Sequence, residues 1–213
     1  MHLNKKTAVN VWSILESAFQ EYGLPKRFRT DNGPPFGSTA AGRLTRLSVN
    51  LIKAGVMPEW IDPGHPEQNG RHERFHLTLK EAVALPPANT LLTQLRIMND
   101  FVYEYNFDRP HEALDMKTPA VCYGMSPRMW DGRLRSPEYN SSEGMLRKVG
   151  QAGTITISGE EYYIGQALTG EYIQLRDQDD KQKVYYGPLL LGCFTKEKGL
   201  EKLKRKIRNR RKV

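Results

Sequence analysis

Residues 26–36 read KRFRTDNGPPF, and this stretch decides the fold. Lys26 to Thr30 is a short run between a proline and a turn, and it predicts a β-strand. The Asp31-Asn32-Gly33-Pro34-Pro35 that follows is turn chemistry throughout, so the strand runs out into a loop. Upstream, Ala8, Trp12, Leu15, Phe19 and Tyr22 recur at alternating steps of four and three. That spacing is one face of a helix over 7–22, and it reads as core. Gly23 and Pro25 end it. Downstream, Leu44, Leu47, Leu51 and Ala54 predict a helix over 40–54, closed by Gly55. Val56 to Ile61 reads as a second strand. Helices over 67–83 and 89–107 follow, broken apart at Leu85-Pro86-Pro87-Ala88-Asn89. Helices alternating with short strands predict an α/β domain with a parallel sheet portion.

The pattern changes past residue 140. Thr154-Ile155-Thr156-Ile157, Tyr162-Tyr163-Ile164, Tyr172-Ile173-Gln174-Leu175 and Val184-Tyr185-Tyr186 are strand-like runs. Gly150, Ser158-Gly159, Thr169-Gly170 and Asp177 to Asp180 separate them as turns. A small all-β, barrel-like module over 145–195 is expected. The organisation read from sequence is thus 1–130 as the α/β core, 131–144 as a linker, 145–195 as the β module and 196–213 as a tail.

The chain has 213 residues, with 38% hydrophobic and 26% charged positions. No apolar run approaches the roughly 18 residues of a membrane span, and no apolar signal core follows Met1. Cys122 and Cys193 stand far apart, which excludes a disulfide scaffold and suits a reducing cytoplasm. The net charge of +8 is concentrated in residues 196–213, KEKGLEKLKRKIRNRRKV, with ten basic and two acidic residues. The remainder is neutral, with 22 of each sign. Such a tail seeks a polyanion, of which nucleic acid is the commonest. Residues 151–195 hold three basic and six acidic residues, so the β module is no basic surface and suits a subunit contact better.

Two carboxylates stand out. Asp31 sits at the C-terminal end of a predicted strand, where open α/β sheets place ligands. Glu73 lies on the helix of GRHERFHLTLK (70–80). Brought together, they would offer hard oxygen donors to Mg²⁺ or Mn²⁺. Taken singly, Asp31 also reads as a turn residue and Glu73 as a solvated helix residue.

Read together, TDNGPPF (30–36), HPEQNGRHERFHLTLK (65–80) and YNFDRPHEALDMKTPA (105–120) resemble the catalytic core of bacterial insertion-sequence transposases related to retroviral integrases. The likeness covers about residues 7–130. Residues 187–192, GPLLLG, also look like a C-terminal domain of one branch of that family. The resemblance implies a ribonuclease-H-like fold and a DDE mechanism. Asp31 would match the second catalytic Asp and Glu73 the catalytic Glu. Together they would hold Mg²⁺ (or Mn²⁺) for 3′-end nicking and strand transfer in DNA integration. Forty-one residues separate the two, more than in the retroviral type, and the excess falls in Ser38 to Ser48.

One departure bears on activity. The family's first catalytic Asp precedes the first helix of this sequence, and Glu16 and Glu21 are the acidic residues before Asp31. Both fall on the helix over 7–22. The expected chain is therefore an incomplete, N-terminally truncated ribonuclease-H-like core followed by the β module and basic tail, inactive alone. The other reading is a non-catalytic DNA- or transposase-binding protein that regulates transposition. The implied partners are DNA, at element ends and target, and a second copy or a full-length transposase. No membrane is involved, and the expected location is the bacterial cytoplasm at the nucleoid.

Supporting residues follow from helix geometry. Lys80 lies seven residues after Glu73 and shares its face, within reach of a phosphate. Asn69 and Arg71, at the entry to that helix, are read as facing DNA. In the tail, Lys202, Lys204, Arg205, Lys206, Arg208, Arg210 and Arg211 are the phosphate-binding candidates. Leu200, Leu203 and Ile207 are spaced for a basic helix. His72 and His76 have zinc-ligand spacing but no evident third ligand, so they read as structural or DNA-contacting. Phe75, Leu79 and Val83 form a core stripe, and Arg109-Pro110-His111 reads as structural.

Overall fold

The computed structural model describes residues 8–62, 65, 68, 70–84, 86–178, 181–195 and 199–202. Helix α1 (Ala8–Tyr22) leads into strand β1 (Arg27–Thr30), helix α2 (Arg46–Lys53) and strand β2 (Met57–Trp60). β1 and β2 pair in parallel, Arg27 opposite Met57 through Thr30 opposite Trp60. This is the strand–helix–strand unit expected from the alternating pattern. Among the described residues its sheet has two strands. The predicted helix over 40–54 is shorter than expected. Gly42, at φ +61, ends a 3₁₀ turn over Ala41–Arg43, and α2 begins only after Thr45. The Thr45 hydroxyl accepts from the Ser48 amide while the Ser48 side chain accepts from the Thr45 amide, a capping box that fixes the start.

The β region begins with β3 (Met145–Lys148), followed by a hairpin of β4 (Thr154–Ile157) and β5 (Glu160–Tyr163). Strands β6 (Tyr172–Gln178), β7 (Lys181–Tyr186), β8 (Leu189–Thr195) and β9 (Gly199–Lys202) complete an antiparallel sheet in the order β3-β6-β7-β8-β9. The hairpin packs across it, with Tyr162 edge-on to Phe194 at 4.7 Å between ring centroids.

Strand β9 corrects one expectation. The tail was read as helical from Leu200, but Leu200 pairs with Phe194 and packs on the β core. Its apolar side chain is satisfied by the sheet, so the spacing to Leu203 and Ile207 did not signal a helix face at this point. Leu203 and Ile207 lie outside the described residues.

By compactness the chain divides into two units. Residues 1–60 and 128–213 form one unit and residues 61–127 another. The physical reason lies in the first unit's core. Ala41, Leu44, Val49, Ile52 and Trp60 share one buried cluster with Val149, Ile155, Ile173, Val184, Tyr186 and Leu191. The extra residues around Ser38 to Ser48 thus form the surface on which the β strands pack. Residues read as a linker also lie along this unit. Trp130 closes a second cluster with Phe19, Leu24, Leu51, Ala54 and Val56. Its ring meets Trp12 edge-on at 6.2 Å and Phe19 at 6.4 Å. The Arg135 amide donates to the Lys53 carbonyl. Phe19 is core as expected, whereas Tyr22, the last residue of α1, is exposed.

In the second unit, α3 (Gly70–Val83) and α4 (Leu91–Tyr103) form a helical hairpin. Gln94 closes the connection: its side-chain amide donates to the Val83 carbonyl at 2.6 Å and accepts from the Ala88 amide at 3.0 Å. The helix predicted to run to 107 changes into a π-helical turn over Glu104–Asp108. Pro119–Cys122 adds one further helical turn, α5.

Candidate active-site residues

Asp31 follows β1 directly, and the loop that carries it is held at three points. The Asp31 carboxylate Oδ1 accepts from the Gly33 amide at 3.0 Å. The Gly33 carbonyl accepts from the amides of Phe36 and Gly37, both at 3.0 Å. Trp60, at the end of β2, donates its indole N–H to the Phe36 carbonyl at 2.9 Å. A two-residue turn and a buried tryptophan thereby hold the carboxylate at the strand end. The strand pair itself is tied by Glu59, whose carboxylate takes Arg27 at 2.5 Å and Arg29 at 3.2 Å. The hydrogen bond from Arg27 is the main cause holding the Glu59 carboxyl below its ordinary range. Asp31 is exposed, and its Oδ2 accepts no hydrogen bond among the described residues. Beside it, Asn32 Oδ1 is buried with no partner among the described residues.

Glu73 stands in the first turn of α3, where a carboxylate is favoured by the helix dipole. The chain before the helix is braced by Gln68, which accepts from the Asp62 amide and donates to the Asp62 carboxylate, both at 2.9 Å. Phe75 anchors the other face of α3 against Tyr105 at 5.1 Å and Phe101 at 6.4 Å between centroids. Phe75 and Leu79 are half-buried and Val83 is fully buried, the stripe expected. The third motif supplies the supports. His111 packs on Tyr105 at 4.6 Å, Arg109 lies over the same ring at 6.0 Å, and Arg109 pairs with Glu104 at 2.8 Å. The Arg-Pro-His segment is therefore a packing device for the π-helical turn. With that face packed, Arg71, Glu73 and Lys80 are all exposed on α3, and Glu73 makes no hydrogen bond or ion pair among the described residues.

Asp31 belongs to the first unit, and Arg71, Glu73 and Lys80 to the second. Lys202 ends β9 in the first unit. Asn69, Lys204, Arg205, Lys206, Arg208, Arg210 and Arg211 lie outside the described residues. Carboxylate oxygen is the donor chemistry that Mg²⁺ and Mn²⁺ prefer, and Asp31 and Glu73 are each an exposed carboxylate. Among the described residues there is no cluster of three or more His, Cys, Asp or Glu placed to hold a metal. Sequence reading missed the Lys53–Glu171 pair, at 2.7 Å. Its two residues are 118 positions apart, and no local pattern connects them.

Residues 54–119 match the family described as integrase core domain. The matched segment includes Glu73 and the Arg-Pro-His block and stops short of Asp31. Among curated relatives, the protein of Spiroplasma virus SpV1-C74 named "Putative integrase ORF3" is 29% identical over 101 residues. That alignment covers 44% of this chain and 28% of the viral protein. The 39.2 kDa protein of insertion element IS476 from Xanthomonas euvesicatoria is 32% identical over 108 residues, 50% of this chain and 30% of that protein. This chain thus spans less than a third of either relative. A chain of the simian T-cell lymphotropic virus intasome, solved by cryoEM with the PP2A regulatory subunit B56 gamma, superposes with a TM-score of 0.46 at 17% identity. The superposition covers 92% of this chain and 68% of that one. Residues 54–119 are thus similar to an integrase core domain, and the matched relatives include proteins encoded by insertion elements. It is a mixed α/β protein, and no helix among the described residues is long and apolar enough to cross a membrane.

Proposed function

We propose that this chain acts in DNA integration as part of a DDE transposase, with Asp31 and Glu73 as two carboxylates of its metal site. The single observation that carries the reading is the integrase-core match around Glu73. Asp31, at the end of β1 in a braced turn, extends it. The two would hold Mg²⁺ or Mn²⁺, which in such a site activates an attacking oxygen and stabilises the leaving one. The chain's own groups orient the DNA: Lys80 and Arg71 reach phosphates beside Glu73, and the basic tail gathers the duplex. A second copy or a complete transposase is the protein partner, and the nucleoid is the place of action. The β strands 145–195, which we read as a barrel-like module, carry a subunit contact.

A third carboxylate is needed. Glu16 and Glu21, the acidic residues before Asp31, both lie on α1, so neither is on a strand beside Asp31. In this reading the site is completed by a carboxylate that neither Glu16 nor Glu21 supplies, and strand transfer depends on that ligand. The same observation supports the second reading, a non-catalytic chain that binds DNA or transposase and regulates transposition.

The test is paramagnetic. Mn²⁺ added to the labelled chain is expected to broaden the amide signals of residues 31–33 and 72–76. Asp31→Asn and Glu73→Gln each reduce that broadening. Signals that stay sharp in Mn²⁺ sink the metal-site assignment. Joining of a labelled DNA end to a plasmid by this chain alone, abolished by Asp31→Ala, sinks the need for that further carboxylate.

A further inference from the structure

His72 and His76 stand one turn apart on the exposed side of α3. Their Nε2 atoms are 2.8 Å from each other. The rings are nearly perpendicular, 89° between planes, with centroids 4.2 Å apart. The two imidazoles have thus brought the same nitrogen of each ring together. One Nε2–H donating to the other nitrogen accounts for the distance in the metal-free molecule. The same arrangement is a bidentate donor pair for a transition metal, since imidazole is the commonest protein ligand for such ions.

The separation is within the span of one ion. Ligand nitrogens lie about 2.0–2.1 Å from such ions. At that length, two donors at a right angle are about 2.8–3.0 Å apart, and two donors at the tetrahedral angle about 3.3 Å apart. A small turn of the rings from the hydrogen-bonded 2.8 Å brings both nitrogens onto one ion, and the choice of ion rests on affinity and coordination number. The absence of a third ligand, which argued against zinc, does not count against Cu²⁺ or Ni²⁺. A tetragonal ion keeps its remaining positions for water, and Cu²⁺ heads the affinity order of the divalent series.

We infer that His72 and His76 form a surface site for Cu²⁺, separate in chemistry from the hard-oxygen pair Asp31 and Glu73. The inference stands on α3 alone and does not depend on the proposed integration activity. Where both hold, the copper ion sits on the residue next to Glu73, and its charge lies where DNA is drawn to that helix.

The experiment uses the untagged full chain with His2→Ala, so that a histidine beside the terminal amine does not compete. Copper(II) alone is titrated and read by isothermal calorimetry and electron paramagnetic resonance. The expected result is one Cu²⁺ per chain with two nitrogen couplings in an axial spectrum. His72→Gln and His76→Gln are each expected to weaken binding at least tenfold and remove one coupling, and the double variant to abolish the site. Both positions are exposed, so these changes leave folding intact. Mg²⁺ at millimolar concentration is expected not to displace the copper. Affinity unchanged within twofold in His76→Gln overturns the site, as does a spectrum without two nitrogens, or no uptake at all.

Discussion

At the residue scale, Glu171 does more for the fold than any residue the sequence picked out. Its carboxylate takes the Lys53 ammonium at 2.7 Å, the Ser136 hydroxyl at 2.8 Å and the Tyr186 hydroxyl at 3.1 Å. The group therefore ties α2, the segment after Trp130 and β7 in one knot. Burial alone would raise its pKa, but the bonds from Lys53 and Ser136 outweigh that and hold it below its ordinary value. The same knot pushes the Tyr186 hydroxyl far up, by burial first and then by the adjacent carboxylate. Both charged partners are mostly buried, at 13% and 19% side-chain exposure. Removing one charge leaves the other stranded, which costs about 2–4 kcal/mol. Glu171→Gln is expected to lower unfolding free energy by that amount at pH 7 in urea. The sign with pH follows from the lowered pKa. Above the unfolded value, about 4.3, the contribution is complete, and it is lost as pH falls through the folded value. The wild type should thus lose stability below pH 4.3 more steeply than Glu171→Gln. Parallel curves would mean the carboxylate is not linked to folding.

At the element scale, what was legible in the sequence is what periodicity and punctuation encode. Helix α1 shows its face in Trp12, Leu15 and Phe19, and the Pro-Pro break after α3 is visible as such. The turn at Asp31 was readable because Gly33 and Pro34 follow a short strand. The strands β3, β8 and β9 were not. Leu189-Leu190-Leu191 has no alternation, and Leu200 sits among lysines that mimic one side of a helix. Both are strands because neighbours in the sheet bury them, and that information is not local. The same holds for residues 41–44, read as the start of a helix. Gly42 sits at φ +61, where an L side chain is strained, and an added Cβ would lie 2.5 Å from Leu191 Cδ2. The turn is shaped to let β8 approach. Gly42→Ala is therefore expected to destabilise the first unit by about 1–3 kcal/mol, from backbone strain and overpacking together. Leu191→Ala by itself opens a cavity, so the overpacking is read from a double-mutant cycle: Gly42→Ala should cost less in the Leu191→Ala background than in the wild type, with the strain remaining. A neutral Gly42→Ala would show that β8 does not rest on this turn.

At the scale of the whole molecule, the net charge is concentrated at one end of the chain. Residues 1–195 are balanced in sign and the last eighteen carry the net +8. Strand β9 shows that the fold extends into that tail as far as Lys202, since Leu200 packs on the β core. A truncation at 196 would therefore remove both a strand and the charge, and its effect on DNA would be uninterpretable. A truncation after Lys202 keeps β9 and removes seven basic residues and no acidic one. Non-specific DNA binding follows counterion release, with log affinity falling by about 0.9 per phosphate contact for each unit of log salt. If half or more of those seven residues touch phosphate, the slope against salt should flatten by about 3–6. Affinity at about 50 mM salt should fall more than tenfold, and the two proteins should converge as salt rises. The thermal midpoint should not move, because the truncation keeps β9 and the packing of Leu200 on the β core. A slope that survives the truncation would place the phosphate contacts before residue 203, with Arg71 and Lys80 as the first residues to replace.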